Sequence, residues 1–149
     1  MSSRPEHPVR TVMSWPIATV VDDATLEEVA ETLAGDDIGV VLVLRDGALV
    51  GVLSERDLVA HVAARADLAH LRAGDVMATE VVTIEATSTV LEASRAMVEA
   101  DVRHLPVLDG GLIAGVVSVR DVLPVLASAV GDQEIVVLRS GTHVVLTTT

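Results

Sequence analysis

One internal repeat limits the folds open to this chain more than any other feature. Shifting the sequence by 64 positions aligns residues 12–60 with residues 76–124 without a gap. The period is longer than the ~20–50 residues of a solenoid unit, and there are two copies, so the sequence favours a duplicated half-domain. The residues identical in both copies, given by their first-copy positions, are Val12, Met13, Thr19, Thr25, Glu28, Asp37, Val43, Leu44, Gly47, Gly51, Val52, Ser54, Arg56 and Asp57.

Each copy has the pattern of a β-α-β-β-α unit. A capping box (T-x-x-E) begins the first helix, an apolar run predicts a strand buried on both faces, and a turn that tolerates positive φ leads into the next strand. The connecting stretch 64–74 is expected to be helical in part. The segments predicted in the first copy are strand 19–21, a helix from Thr25, strand 40–44, turn Asp46-Gly47, strand 49–53 and a helix opening at Ser54. Their counterparts in the second copy include a capping box at Thr89 and a turn at Gly110-Gly111.

One such unit cannot cover both faces of its sheet. We therefore expect an α+β fold in which two copies, related by a pseudo-twofold axis, pack into one compact module. The predicted boundaries are a flexible tail 1–8, a first motif 9–66, a second motif 67–130 and an extension 131–149. In the extension, two apolar segments flank Ser140-Gly141, a pattern typical of a hairpin or an added edge strand.

Composition and charge exclude several classes of function. With 22 acidic residues against 10 Lys and Arg, the formal net charge of −12 opposes binding to nucleic-acid polymers and anionic membranes. The absence of cysteine excludes disulfides and thiol catalysis, and the single aromatic residue, Trp15, cannot form a stacking platform for bases. No segment resembles a signal peptide or a membrane helix. We expect a soluble, cytoplasmic protein.

The Ser-x-Arg-Asp motif at the start of each closing helix carries the clearest chemistry. In residues 54–57 and 118–121, a hydroxyl and a carboxylate lie three positions apart at a helix N-terminus. The carboxylate can accept both hydroxyls of a ribose, and the intervening Arg56 or Arg120 can meet a phosphate. The same spacing is an ordinary helix cap, and the two interpretations are compatible.

Together the two copies resemble cystathionine-β-synthase (CBS) motifs, and the pair resembles a Bateman module, over roughly residues 9–128. The resemblance implies a regulatory fold that binds adenosyl ligands such as AMP, ADP, ATP or S-adenosylmethionine in clefts between the two motifs. It also implies a dimer that forms a flat disc of four motifs. The residues that carry the resemblance are Val12-Met13, Val76-Met77, 51–57 (GVLSERD), 115–121 (GVVSVRD) and 103–107 (RHLPV).

The resemblance also implies roles for individual residues. Asp57 and Asp121 would hold ribose hydroxyls, with Ser54 and Ser118 assisting. Arg103 and His104, at the start of a strand, become candidate phosphate contacts beside the two arginines of the Ser-x-Arg-Asp motifs. The implied adenine pocket is lined by backbone and aliphatic groups of Ile17, Ala18, Val81, Val82, Leu105 and Pro106.

The first copy departs from this pattern. Where the second copy reads RHLP at 103–106, the first reads GVVL at 39–42, without the polar residues and the proline. We therefore expect the two clefts to differ, and one of them can be empty. The other histidines share no spacing that makes a metal site, and Trp15 is expected to be a packing or interface residue.

These observations leave two functional hypotheses. The first is a stand-alone module that senses an adenosyl ligand and signals through its dimer or a regulated partner protein. Because the net charge repels polyanions, a nucleotide would depend on local arginines, with Mg²⁺ screening in the case of ATP, whereas the cationic S-adenosylmethionine avoids that repulsion. The alternative is a structural module whose activity is dimerisation. No nucleophile-base pair or P-loop is present, so we do not expect an enzyme.

Overall fold

The computed structural model describes residues 3–36, 38–130, 135–136 and 145–146. The chain divides into two compact units. The continuous unit is Pro16–Val81, and the discontinuous unit joins Met1–Trp15 to Val82–Thr149. The first repeat supplies most of the continuous unit, and the second repeat supplies most of the discontinuous unit.

The continuous unit has the predicted β-α-β-β-α order, followed by one further short helix. Its elements are β1 (Thr19–Val21), α1 (Leu26–Asp36), β2 (Val40–Arg45), β3 (Ala48–Ser54), α2 (Glu55–Ala63) and α3 (Ala73–Val76). Strand β2 lies at the centre of a three-stranded sheet, parallel to β1 and antiparallel to β3. Within the connecting stretch 64–74, the helical part is limited to its end, where α3 begins.

The described part of the discontinuous unit repeats this arrangement. Its elements are β4 (Ile84–Glu85), α4 (Val90–Ala100), β5 (His104–Asp109), β6 (Leu112–Ser118) and α5 (Val119–Val130). Strand β5 is central, parallel to β4 and antiparallel to β6. The two sheets thus place equivalent residues of the two repeats at equivalent positions.

Both predicted capping boxes form. The Thr25 N–H donates to Glu28 Oε2 at 2.8 Å, and the Glu28 N–H donates to Thr25 Oγ1 at 3.2 Å. The equivalent distances at Thr89 and Glu92 are 2.7 and 3.1 Å. Each box satisfies two backbone donors that the start of a helix would otherwise leave without a partner, so α1 and α4 begin where the sequence predicts.

Both predicted hairpin turns have left-handed backbone. Asp46 and Gly47 have φ of 50° and 79°, and Gly110 and Gly111 have φ of 58° and 82°. Because glycine adopts this conformation without a steric penalty, Asp-Gly and Gly-Gly suit tight turns between antiparallel strands. The turns fix the register that brings the ends of β3 and β6 to the starts of α2 and α5.

Each unit has its own apolar core. The sheet and the helices bury mainly Val, Leu and Ala on the sheet face that the helices cover. The core of the continuous unit comprises Ala18, Leu26, Val29, Leu33, Val41, Val43, Leu53, Leu58 and Ala73. The core of the discontinuous unit comprises Val9, Ala86, Val90, Ala93, Met97, Leu105, Val107, Val117, Val122 and Val125.

The opening segment of the first repeat, residues 9–15, packs on the sheet of the second repeat. Val9 is fully buried in the core of the discontinuous unit. The Ser14 N–H donates to the Val116 carbonyl at 2.8 Å, and the Val116 N–H donates back at 3.2 Å. This segment therefore extends the sheet beyond β6.

The opening segment of the second repeat, residues 73–79, makes the reciprocal arrangement. Ala73 is fully buried in the core of the continuous unit. The backbones of Ala78 and Val52 exchange two hydrogen bonds of 3.0 and 3.1 Å. The compact units therefore divide the chain differently from the sequence repeats.

Beyond α5, two short strands pair. β7 (Ile135–Val136) is antiparallel to β8 (Val145–Leu146), which agrees with the predicted hairpin. The segment between them, which includes Ser140-Gly141, lies outside the described residues. Among the residues described, no helix is both long and apolar enough to cross a membrane.

Candidate ligand-binding site

The first Ser-x-Arg-Asp motif joins β3 to α2. Ser54 is the N-cap of α2, and both its N–H and its Oγ donate to Asp57 Oδ2, at 2.8 and 2.9 Å. The Asp57 N–H donates back to Ser54 Oγ at 3.2 Å. The capping interpretation of the motif is therefore confirmed in the first repeat, with the box complete in both directions.

The second motif joins β6 to α5 in the same way, with one difference. The Ser118 N–H and Oγ donate to Asp121 Oδ2 at 2.7 and 3.1 Å. The return bond from the Asp121 N–H to Ser118 Oγ is absent from the hydrogen bonds of the described residues. The first turn of α5 thus keeps a backbone donor that α2 uses internally.

Capping uses one oxygen of each aspartate. Within the described part of the chain, no hydrogen bond involves Oδ1 of Asp57 or of Asp121. Both carboxylates are half-buried, so they are fixed by the cap and still reach solvent. A fixed carboxylate with an open oxygen can accept a ligand hydroxyl while it continues to cap its helix.

Strand register brings the predicted phosphate contacts to the same place. His104, at the start of β5, lies opposite Ser118 at the end of β6. The Val119 N–H donates to the Arg103 carbonyl at 3.0 Å, which ties Arg103 to the start of α5. Arg103 and Arg120 are exposed, and His104 is half-buried. The backbones of Arg103 and His104 therefore lie next to the segment that holds Ser118 and Asp121.

At the equivalent place in the continuous unit, the start of the central strand is apolar. Val40 lies opposite Ser54, and the Glu55 N–H donates to the Gly39 carbonyl at 3.0 Å. Val40 is buried, and the one basic residue of this motif, Arg56, is exposed. Residues 39–42 (GVVL) thus begin next to the first Ser-x-Arg-Asp motif, and residues 103–106 (RHLP) begin next to the second.

The residues assigned to the adenine pocket occupy different environments. Ile17 and Ala18 precede β1 in the continuous unit, where the Ala18 carbonyl accepts the Leu42 N–H at 3.0 Å. Val81 ends that unit and Val82 begins the next part of the discontinuous unit. Val82 is the counterpart of Ala18 in the second repeat.

Leu105 and Pro106 are neighbours on β5, and both are buried. Leu105 is fully enclosed in the core of the discontinuous unit, so its side chain supports the strand from the core side. Pro106 lies opposite Val116 on β6 and is the counterpart of Leu42. Because proline has no N–H, the bond that Leu42 makes to Ala18 has no equivalent here.

Two features escaped the sequence analysis. One is the Val82 carbonyl, on which no hydrogen bond from the described residues ends; the sequence signal for it was the proline 24 positions later in a strand. The other is Glu55, which adds a negative charge within the first motif where the second repeat has Val119.

In the part of the chain that the structure describes, no three histidine, aspartate or glutamate side chains are grouped so that they could hold a metal ion.

Comparison with known proteins gives the chain its family. The CBS domain model matches residues 9–64 and 73–128. The CBS domain-containing protein YhcV of Bacillus subtilis is 28% identical over 113 residues, which cover 76% of this chain and 81% of YhcV.

Solved structures agree with that match. The CBS domain protein PAE2072 of Pyrobaculum aerophilum, complexed with AMP, is 28% identical with a TM-score of 0.75, and the match covers 82% of this chain and 97% of that one. The cytosolic domain of the Mg²⁺ channel MgtE in complex with ATP is 32% identical with a TM-score of 0.68; the match covers 80% of this chain and 49% of that one. Two matched domains in one chain, on two sheets of the same topology, form a CBS pair, or Bateman module, and the chain belongs to the CBS domain family.

Proposed function

We propose that this chain is a regulatory module that binds an adenosyl ligand and passes its occupancy to a dimer partner or to a regulated protein. The observation that carries the proposal is the aspartate of each Ser-x-Arg-Asp motif, which is fixed by capping through Oδ2 and has no hydrogen bond at Oδ1 among the described residues. Relatives at 28% and 32% identity have been solved with AMP and with ATP. The proposed role is binding without catalysis.

The ligand is held by its ribose in this proposal. A ribose presents two adjacent hydroxyls, and the two lone pairs of one carboxylate oxygen can accept a hydrogen bond from each. Asp57 or Asp121 accepts the hydroxyls, assisted by Ser54 or Ser118. Phosphate oxygens meet Arg56 or Arg120, with Arg103 and His104 beside the second motif. The base lies along the backbone that precedes β1 or β4.

Charge narrows the ligand class. At a net charge of −12, long-range repulsion weakens the binding of polyanions. AMP, which has the fewest charges among the adenine nucleotides, meets the least repulsion, and ATP would bind with Mg²⁺. S-adenosylmethionine carries a sulfonium and is favoured by the same field. The same charge disfavours nucleic-acid polymers and anionic membranes as partners, and a cytoplasmic location suits a nucleotide sensor.

Ligand binding is coupled to the partner by differential affinity. A ligand shifts an equilibrium between two arrangements only to the extent that it binds one of them more tightly. Exposed apolar side chains on α2 and α5, among them Val59 and Leu123, offer a surface for a homodimer. Occupancy at the start of either helix then biases the contacts that the same helix makes with a second copy.

The alternative is a structural module that dimerises without a ligand. The apolar start of β2, with Gly39 and Val40 where the second repeat has Arg103 and His104, favours this alternative for the first repeat. Under this alternative, dimerisation through the exposed faces of α2 and α5 is the only activity of the protein.

Thermal unfolding distinguishes the ligand-sensing module from the structural module. The ligands to add are AMP, ADP, ATP with and without Mg²⁺, and S-adenosylmethionine. A ligand at 100 times its Kd adds about 2.7 kcal/mol to the free energy of unfolding. The double variant Asp57→Asn/Asp121→Asn keeps an oxygen for each cap and turns a donor toward the ribose, so it should lose the shift. The double variant Glu31→Gln/Glu99→Gln, which changes two exposed acids on α1 and α4, is the charge-matched control. No shift with any of these ligands at millimolar concentration would refute the sensing function.

A further inference from the structure

Two methionines pack the opening segments of the repeats against glycines of the neighbouring strands. Met13 lies on Gly115 of β6, where a β-carbon on the glycine would lie 2.8 Å from Met13 Sδ and 3.1 Å from Met13 Cγ. Met77 lies on Gly51 of β3 in the same way, with its Sδ and Cγ nearest to the position of the β-carbon. The same contact therefore occurs once in each unit, and the sulfur end of the methionine makes it.

Each methionine directly precedes a residue whose backbone exchanges two hydrogen bonds with the neighbouring strand. Ser14, which follows Met13, bonds to Val116 of β6 at 2.8 and 3.2 Å. In the continuous unit, the corresponding bridge joins Ala78 to Val52 of β3 at 3.0 and 3.1 Å. The packing of each methionine and the pair of bonds beside it therefore hold the same part of the segment to the strand.

Exposure separates these two methionines from the third methionine that the structure describes. Met13 and Met77 are half-buried and pack at the margin of the two cores, whereas Met97 is 4% exposed within the core of the discontinuous unit. A thioether that solvent reaches is open to oxidation by a hydroperoxide, whereas burial protects it. The chain has no cysteine, so no thiol of its own competes for the oxidant.

The oxidation transfers one oxygen atom and two electrons. A lone pair of the sulfur attacks hydrogen peroxide, an S–O bond forms as the O–O bond breaks, and the departing hydroxide takes the proton of the transferred hydroxyl and leaves as water. The thioether becomes a sulfoxide, and the peroxide is reduced. A methionine sulfoxide reductase supplied with a thiol reductant removes the oxygen as water and restores the thioether.

A sulfoxide does not suit the surface of either glycine. The polar atoms recorded beside Gly115 and Gly51 are the carbonyl oxygens of Ser14 and Ala78, and neither can donate to the sulfoxide oxygen. A sulfoxide that stayed in place would give up the hydrogen bonds that it makes in water, so the oxidised side chain turns outward. The strand then loses its apolar cover, and the backbone bridge beside it opens more often.

We propose that Met13 and Met77 are paired oxidation sites, at which a hydroperoxide releases the opening segments of the two repeats and a methionine sulfoxide reductase restores them. Oxidation at one site opens its own bridge and leaves the other closed, because the two contacts lie in different units. Release uncovers the strand edges of β6 and β3, which then present unpaired backbone groups. The inference does not depend on the proposed function.

Stepwise addition of hydrogen peroxide to the full chain tests the proposal, with oxidation followed by peptide mass spectrometry. Met13 and Met77 should each gain one oxygen atom while Met97 remains unmodified. Amide hydrogen exchange in the same samples should become faster at Ser14 and Ala78 by about tenfold or more, without a change in the central strands β2 and β5. Treatment with the reductase should reverse both effects. Equal oxidation of Met97, or oxidation of the other two without faster exchange, overturns the inference.

Two matched variants assign each bridge to its own methionine. Met13→Leu and Met77→Leu keep an apolar side chain of similar volume and remove the sulfur. In peroxide, exchange should become faster only at Ala78 in Met13→Leu and only at Ser14 in Met77→Leu. Met97→Leu, which keeps both contacts, should respond as the parent protein does. Loosening of both bridges in either single variant contradicts the inference, and the measurements on the parent protein decide the matter if a variant fails to fold.

Discussion

Met77 lies directly against Gly51, at the point where the opening segment of the second repeat crosses strand β3. A β-carbon on Gly51 would collide with Cγ and Sδ of Met77 and would lie 2.9 Å from the Ala78 carbonyl. Met13 and Gly115 repeat this relationship in the other unit, where a β-carbon would lie 2.8 Å from the Ser14 carbonyl. Each glycine is therefore required by the close approach of another stretch of chain, although neither has a positive φ.

The first prediction follows from that contact. Gly51→Ala and Gly115→Ala should each lower the free energy of unfolding by about 1–3 kcal/mol. The methionine side chain can move away from the added methyl group, but the backbone carbonyl beside it cannot. Urea unfolding measures the effect. Gly35→Ala is the control, since the added carbon on α1 meets no described atom within 4 Å outside its chain neighbours and the backbone of its own helix, and it should stabilise the protein by up to about 1 kcal/mol.

The second prediction concerns the caps of α1 and α4. Thr25→Ala and Thr89→Ala should each destabilise their unit by about 1 kcal/mol, because the Glu28 and Glu92 amides lose their acceptors. The double variant should lose about the sum, since the two caps lie in different cores and share no partner. Thr25→Ser and Thr89→Ser, which retain the hydroxyl, should remain close to the parent. Equal losses in the serine variants would show that the methyl group, not the cap, stabilises these positions.

The third prediction separates core packing from ligand contact at Leu105. This side chain is 0% exposed, so Leu105→Ala should cost about 2–5 kcal/mol through the cavity that it creates. Leu112→Ala, at 75% exposure on the same hairpin, should change stability by less than about 0.5 kcal/mol. Chemical denaturation of both variants checks the contrast. A small effect at Leu105 would mean that the residue is available to line a pocket.

The fourth prediction tests the proposed homodimer. Val59 on α2 and Leu123 on α5 occupy equivalent positions and are 67% and 56% exposed. The double variant Val59→Asp/Leu123→Asp should shift the protein from dimer to monomer in light scattering while leaving circular dichroism unchanged. Leu112→Asp carries the same change at an exposed apolar residue off these helices and should remain dimeric. A parent protein that is monomeric at all concentrations contradicts the proposal.

Local features of this fold could be read from the sequence because each depends on a few adjacent residues. The capping boxes need only Thr and Glu three positions apart, and the turns need only Asp46-Gly47 or Gly110-Gly111. The chain partner of each opening segment could not be read in this way. Val9 and Ala73 occupy the same place in the repeat, and the apolar pattern of the two sheets is alike, so the sequence cannot tell which sheet each segment joins.

The candidate site also combines features that depend on adjacent residues with features that depend on distant ones. Ser54, Asp57, Ser118 and Asp121 form their motifs locally, and their capping role was predictable from spacing. The place of Arg103 and His104 beside Ser118 depends on strand register, which a hairpin of known turn length makes predictable. The Val82 carbonyl, which accepts no hydrogen bond from the described residues, depends on a parallel pairing between distant segments, and the missing donor becomes visible only when β5 lies beside that segment.

The exchange of opening segments also sets an order of assembly. The bridge from Ala78 to Val52 closes a loop of 26 residues, whereas the bridge from Ser14 to Val116 spans 102. The longer loop costs about 1.2 kcal/mol more in chain entropy. During synthesis, Pro16–Val81 emerges as an uninterrupted stretch that holds its own core, while Val9 must wait for β5 and β6. Residues 9–15, which precede Pro16–Val81 in the chain, are then among the last of the described residues to fold.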